Sequence, residues 1–180
     1  MNAITPFSLD TLPREPFDRA VREVNGWRGR CLNAFTRGEA AMTECLLTLS
    51  ATPGRGGGIK LPHLLGQRFD ALAAAIGTDG PFAPEGRRAA TAIARFREHL
   101  SLRNMLCHGL TEITLDQKGR WTVVIRLAAL CQGHVDRTVL VIGEEEAERL
   151  ASNVRSASDS LSAHLKNLTS GLSVKCPADA

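Results

Sequence analysis

Apolar residues recur at helical spacing over an unusually long stretch, from Phe17 to Leu49. The members of this stripe are Phe17, Val21, Val24, Cys31, Phe35, Met42, Cys45 and Leu49. Such a stripe predicts a long amphipathic helix whose apolar face must pack against other elements. Gly26, Gly29 and Gly38 weaken the helix, so the pattern also allows a kink or a break into two helices.

The rest of the chain alternates between helical and strand patterns. A glycine-rich loop follows the first helix, and its pattern does not match a phosphate-binding P-loop. Two more helices are predicted, one over residues 62–76 and one from Pro84 to about Gly109. The segments LTEITLD and RWTVVIRLAAL around QKG predict a β-hairpin, to which VDRTVLVI adds a third short strand. The segment that starts EEEAERL closes the chain as an amphipathic helix with an acidic first turn.

These elements predict a mainly α fold. We expect a bundle of four to five helices with a small antiparallel β-hairpin or three-stranded meander inserted before the last helix. Residues 1–15 are predicted to form an irregular lead-in, and residues 16–170 a single helical domain. The β insertion is expected at about residues 110–142, and residues 171–180 are expected to form a tail.

Composition narrows the class of protein. The chain has 180 residues, 43% of them hydrophobic and 23% charged, which is typical of one soluble globular domain. It has no apolar run long enough for a membrane helix and no signal-peptide pattern, so we expect a cytoplasmic protein. Its five cysteines are scattered, which favours free thiols over disulfides or a zinc site. We expect neither a metal nor a cofactor.

The segment SLRNMLCHG, residues 101–109, carries polar groups that do not suit its apolar surroundings. When residues are placed at about 100° intervals around a helix that continues from Pro84, Arg103 falls in the middle of the apolar arc. Asn104 and His108 fall on one flank of that arc, four residues apart and able to touch. The pattern therefore predicts three hydrogen-bonding groups on one contiguous patch.

Burial of an unpaired guanidinium is costly, so Arg103 needs either an acidic partner or a position that lines an open cleft. One solution is an ion pair within the protomer, for which Glu39 on the apolar face of the first helix is the candidate. In that case His108 would simply lie in a last turn that favours a cation. The other solution is that the patch lines a cleft that is open to a ligand or to a second subunit.

The three groups would suffice for cleavage of RNA without a metal. The imidazole of His108 could transfer a proton near neutral pH, and Arg103 could neutralise charge that develops on a phosphate. Asn104 could orient the imidazole or the substrate. Arg95, Arg97 and His99 precede the motif and are weaker candidates for substrate binding.

The motif R-N-x-x-x-H, formed by Arg103, Asn104 and His108 near the end of a helix, resembles that of the HEPN-domain family. In that family an arginine and a neighbouring polar residue are followed, after four to six positions, by a histidine. The resemblance implies a helical bundle that forms a homodimer, with two copies of the motif meeting to make one active site. It also implies a bacterial metal-independent ribonuclease of toxin–antitoxin, defence or RNA-processing systems. The β insertion departs from the minimal all-helical domain.

We therefore expect a hydrolase that acts on RNA, possessing Arg103, Asn104 and His108 as its catalytic residues. A cognate antitoxin or regulatory protein is a further expected partner. Two alternatives stay open. The same dimer could bind RNA or a nucleotide without cleaving it, or the polar patch could serve only to fix how two subunits associate.

Overall fold

The computed structural model describes residues 14–131 and 133–173 of the chain. This part of the chain forms five helices and a three-stranded sheet that is inserted before the last helix, as the sequence predicts. The elements in chain order are α1 (Arg14–Ser50), α2 (Leu65–Ile76), α3 (Ala83–Arg97), α4 (Leu100–His108), β1 (Leu110–Leu115), β2 (Trp121–Cys131), β3 (His134–Gly143) and α5 (Glu144–Ser173).

The predicted domain edges fall inside helices. Helix α1 already begins at Arg14 and α5 continues to Ser173, so residues 16 and 170 are not boundaries of regular structure. Most of the predicted lead-in and tail, residues 1–13 and 174–180, lies outside the described residues. The predicted β insertion matches the observed strands closely.

Helix α1 runs for 37 residues without a break, despite its glycines. Gly38 is buried, and a Cβ atom at this position would lie 2.6 Å from Cζ of Phe96. The absence of a side chain therefore lets Phe96 pack directly on the α1 backbone. Its ring lies edge-on to Phe35 of α1, with ring centroids 5.8 Å apart, and stacks on Phe69 of α2 at 5.9 Å.

Helices α1 and α5 run side by side in the same direction and form the main helical contact. Trp27 donates a buried 2.7 Å hydrogen bond to the carbonyl oxygen of Ala147, and Ser158 donates one of 2.7 Å to that of Ala34. Each bond satisfies a buried polar side chain within the helical interface, where an unpaired group would be costly. They fix the register of α5 on α1.

The third predicted helix is two helices, so the prediction of one helix to about Gly109 is wrong. Helix α3 ends at Arg97 and α4 begins at Leu100. The backbone amide of His99 bonds to the carbonyl oxygen of Phe96 at 3.1 Å, a tighter turn than an α-helix makes. After this break, the buried residues of α4 no longer continue the helical spacing of the buried residues of α3.

The sheet has strand order β1-β2-β3 and is antiparallel throughout. Trp121, Val123, Ile125 and Ile142 are buried on its inner face. At the turn between β1 and β2, Asp116 accepts hydrogen bonds from the backbone amides of Arg120 and Lys118 at 2.9 and 2.8 Å. The bond from the Arg120 amide, with help from its side chain, lowers the pKa of Asp116.

Candidate functional site

The nine residues of α4 carry the polar motif, and close packing holds the end of this helix. A Cβ atom on Gly109 would lie 2.3 Å from Cγ2 of Ile125 and 2.6 Å from the carbonyl oxygen of Met105. Glycine at this position therefore allows the end of α4 to lie against β2. The motif sits on a short helix that is anchored at the point where the sheet begins.

An arginine of α1 also secures the end of α4. Arg28 donates a 2.7 Å hydrogen bond through Nε to the carbonyl oxygen of Leu106. The last carbonyl groups of a helix lack partners within the helix and carry partial negative charge, so a cation is favourable there. Sequence reasoning missed Arg28, because nothing in the sequence indicates that α1 passes the end of α4.

Arg103 makes an ion pair with Glu39 of α1. Nε of Arg103 donates a hydrogen bond to Oε1 of Glu39 at 3.1 Å, and the two side chains are 25% and 20% exposed. The candidate partner identified from the sequence is therefore the observed one. Within the described residues, the outer nitrogens of Arg103, Nη1 and Nη2, have no hydrogen-bond acceptor, so only the inner edge of the guanidinium is engaged.

Asn104 and His108 are exposed on the opposite flank of α4 from the core. They are four residues apart, which places their Cβ atoms about 6 Å from each other on a helix. His108 is the last residue of α4, so its ring stands at the rim where the helix meets β1. The motif thus combines one half-buried cation with two exposed groups that can donate or accept hydrogen bonds.

The expectation that Arg103 lies in the middle of the apolar arc is wrong. Met105 and Leu106 are the buried residues of α4, whereas Arg103 lies at the edge of the buried face. The expectation assumed one continuous helix from Pro84. Because the break before Leu100 separates the two helices, the apolar residues of α3 do not define the buried side of α4.

The weaker substrate-binding candidates divide into two places. Arg95 and His99 line one cleft of about 410 Å³ between α3 and α5. Arg97 points elsewhere: it forms a 3.0 Å ion pair with Asp70, and its guanidinium carbon lies 5.9 Å from the centre of the Phe69 ring. Arg97 therefore has a structural role at the contact between α2 and α3.

The thiols of α1 are poor nucleophiles in this environment. Burial raises the pKa of Cys31 to about 11 and that of Cys45 to about 12, which keeps both protonated at neutral pH. Trp121 is also committed to packing, since its ring lies 6.4 Å from that of Trp27 and its Nε1 bonds to Glu23 at 3.1 Å. Neither feature offers an alternative site to the motif on α4.

No group of three or more His, Cys, Asp and Glu residues is placed to hold a metal ion in the part of the chain that the structure describes. Over the same residues, none of the helices combines the length and the apolar character that a membrane crossing needs. Comparisons of the chain with protein-family models, with curated proteins and with solved structures found no match in any of the three.

Proposed function

We propose that the protein is a HEPN-like, metal-independent endoribonuclease whose site is built on Arg103, Asn104 and His108. One observation carries the proposal. Arg103 is held by Glu39 through Nε, and the part of the chain that the structure describes offers no acceptor to the outer edge of its guanidinium, which lies beside two exposed polar groups on α4. An arginine that is fixed at one edge and open at the other is suited to bind a phosphate.

In the proposed reaction, His108 removes the proton from a 2′-hydroxyl group of RNA. The 2′-oxygen attacks the adjacent phosphorus, the bond to the 5′-oxygen breaks, and the departing oxygen takes up a proton. The products are a 2′,3′-cyclic phosphate and a 5′-hydroxyl. Arg103 neutralises the charge on the phosphate in the transition state, and Asn104 orients the imidazole or the substrate.

This reaction needs two proton transfers, and each protomer provides one imidazole in the motif. The proposal therefore includes a homodimer, in which a second copy of the motif supplies the other proton-transfer group. Glu39 is a positioning residue, because it holds Arg103 without reaching the substrate. The proposal also includes a biological role: the protein is a cytoplasmic toxin or defence component that has a cognate antitoxin.

The test is cleavage of single-stranded RNA by the purified protein in the presence of EDTA. We expect cleavage to continue with the chelator and to leave cyclic phosphate ends. His108→Ala should lower the rate by roughly 10²–10⁴, since proton transfer is lost. The matched control is His63→Ala, which removes another exposed histidine. Full activity of His108→Ala, or loss of cleavage in EDTA, would rule out this mechanism.

A second candidate function is an RNA-binding or dimerisation module without catalysis. It is favoured by the Glu39–Arg103 ion pair, because a paired arginine can also be purely structural. Under this alternative the protein binds RNA, or only a second subunit, and leaves RNA intact in every buffer. Light scattering provides a separate test. A monomer at micromolar concentration would contradict a site that is formed by two copies of the motif.

A further inference from the structure

Two clefts follow one another along the antiparallel contact between α3 and α5. One, of about 510 Å³, brings residues 84–89 of α3 to residues 164–171 of α5. The other, of about 410 Å³, brings residues 92–99 to residues 153–160. We call the two clefts together the α3–α5 groove. The side chains used in the following argument are Arg87, Arg88, His164, Asn167, Arg95, His99, Asn153, Ser156 and Ser160.

The α3–α5 groove carries an excess of positive charge. Arg87, Arg88 and Arg95 are exposed, and none of them forms an ion pair with a carboxylate of residues 14–131 or 133–173. Of the acidic side chains that line the groove, Glu85 is bound to Arg55 at 2.9 Å, which leaves Glu98. Unpaired guanidinium groups along a concave surface attract phosphates, which they can bind through two nitrogens at once.

The spacing of these cations suits a strand of nucleic acid. Arg88 and Arg95 are seven residues apart, which is about 10 Å along a helix axis. That distance corresponds to roughly three stacked nucleotides at about 3.4 Å each. At its far end the groove reaches His99, whose carbonyl oxygen accepts the backbone hydrogen bond of Arg103 at 3.1 Å. The groove therefore ends at the residue that immediately precedes α4.

We infer that the α3–α5 groove binds a single strand of RNA by its phosphates and directs it toward the start of α4. This inference rests on the proposed action on RNA. Asn153, Asn167 and the serines offer hydrogen bonds to sugars and base edges, whereas none of the described Phe and Trp side chains lines either cleft. Binding is therefore driven by charge rather than by stacking, tolerates many sequences, and weakens steeply with salt.

The experiment measures binding of a fluorescent 2′-O-methyl RNA strand, which cannot be cleaved, to the His108→Ala protein over a series of salt concentrations. The test variant adds Arg88→Ala and Arg95→Ala. Each lost phosphate contact should reduce the slope of log K against log salt by about 0.7. We expect the double change to weaken binding roughly tenfold or more at about 0.1 M salt, while Arg88→Lys with Arg95→Lys retains most of the binding.

The matched control adds Arg22→Ala and Arg137→Ala, two exposed arginines outside the groove, so that net charge falls equally. An equal loss of binding in the control, or equal competition by polyglutamate, would overturn the inference. The outcome is separable from that of the proposed function. Cleavage by the wild-type protein with normal binding by the groove variant refutes only the groove, whereas groove-dependent binding without cleavage refutes only the catalysis.

Discussion

Two arginine–glutamate pairs of similar burial are bonded differently in this molecule. Arg55, which lies between α1 and α2, is 34% exposed and its partner Glu85 on α3 is 19% exposed. Arg103 and Glu39 are 25% and 20% exposed. The pairs differ in how many nitrogens of the arginine are bound. Burial alone therefore does not separate a structural arginine from one that can bind a ligand.

All three side-chain nitrogens of Arg55 are engaged. Its Nη1 and Nη2 donate to the two carboxylate oxygens of Glu85 at 3.1 and 2.9 Å, while Nε and Nη2 donate to the carbonyl oxygen of Pro81 at 2.9 and 2.5 Å. The guanidinium carbon also lies 4.2 Å from the centre of the Phe82 ring. The bonds to Glu85 raise the pKa of Arg55 further. This arginine ties the loop after α1 to α3 and has no edge left for a ligand.

Among residues 14–131 and 133–173, the side chain of Arg103 makes a single hydrogen bond, from Nε to Glu39, so its two outer nitrogens remain open there. A saturated arginine contributes mainly to stability, because its removal leaves several polar groups unpaired. An arginine with one bound nitrogen contributes less to stability and can donate to a phosphate. The comparison therefore predicts that loss of the Arg103 side chain mainly lowers activity, whereas loss of the Arg55 side chain mainly lowers stability.

The largest expected effect is on activity at Arg103. Arg103→Ala should lower the RNA cleavage rate by roughly 10²–10³, because charge stabilisation in the transition state is lost. Its free energy of unfolding should fall by only about 1–2 kcal/mol, since the pair is partly exposed and has one hydrogen bond. Cleavage assays and denaturant melts on the same protein measure both. A loss of stability near 4 kcal/mol would assign Arg103 to the structure instead.

The reverse pattern is expected at Arg55. Arg55→Ala should lower the free energy of unfolding by about 2–3 kcal/mol, because a bidentate ion pair, bonds to a carbonyl and a cation–π contact are lost together. The rate of cleavage by the folded protein should stay within about twofold, since Arg55 lies outside the proposed site. Urea denaturation measures the free energy of unfolding, and cleavage assays under conditions well below the unfolding transition measure the rate. If Arg55→Ala proved as stable as the parent, the number of bound nitrogens would not distinguish the two roles.

The sequence reveals part of this distinction. Helical spacing places Glu39 on an apolar face and makes it a candidate partner of Arg103, and the structure confirms this pair. The break before α4 was not predictable from periodicity, because residues 98–99 contain neither glycine nor proline. It depends instead on the packing of Phe96, Met105 and Leu106, which are all buried against distant elements.

The number of bonds that each arginine makes is likewise absent from the sequence. Arg55 lies within the glycine-rich loop that follows α1, yet it bonds to Pro81 and Glu85, which lie 26 and 30 residues further along the chain. Such contacts depend on the path of the loop after α1, for which no local pattern exists. Local sequence therefore identified the polar motif better than the structural ion pair.

The smallest expected effect is at Glu39, and it tests how Arg103 is held. Glu39→Gln keeps an oxygen acceptor for Nε of Arg103 and removes the negative charge, so the free energy of unfolding should change by about 1 kcal/mol or less. If Glu39 only positions Arg103, cleavage should fall by a few-fold and RNA binding should change little or strengthen, because a competing carboxylate is gone. Glu39→Ala should reduce the rate further, since the guanidinium loses its fixed edge.

A rate that falls as far in Glu39→Gln as in Arg103→Ala would mean that the carboxylate takes part in the reaction itself. The distinction rests on the charge of one side chain 3.1 Å from Arg103, and paired measurements of rate and binding resolve it.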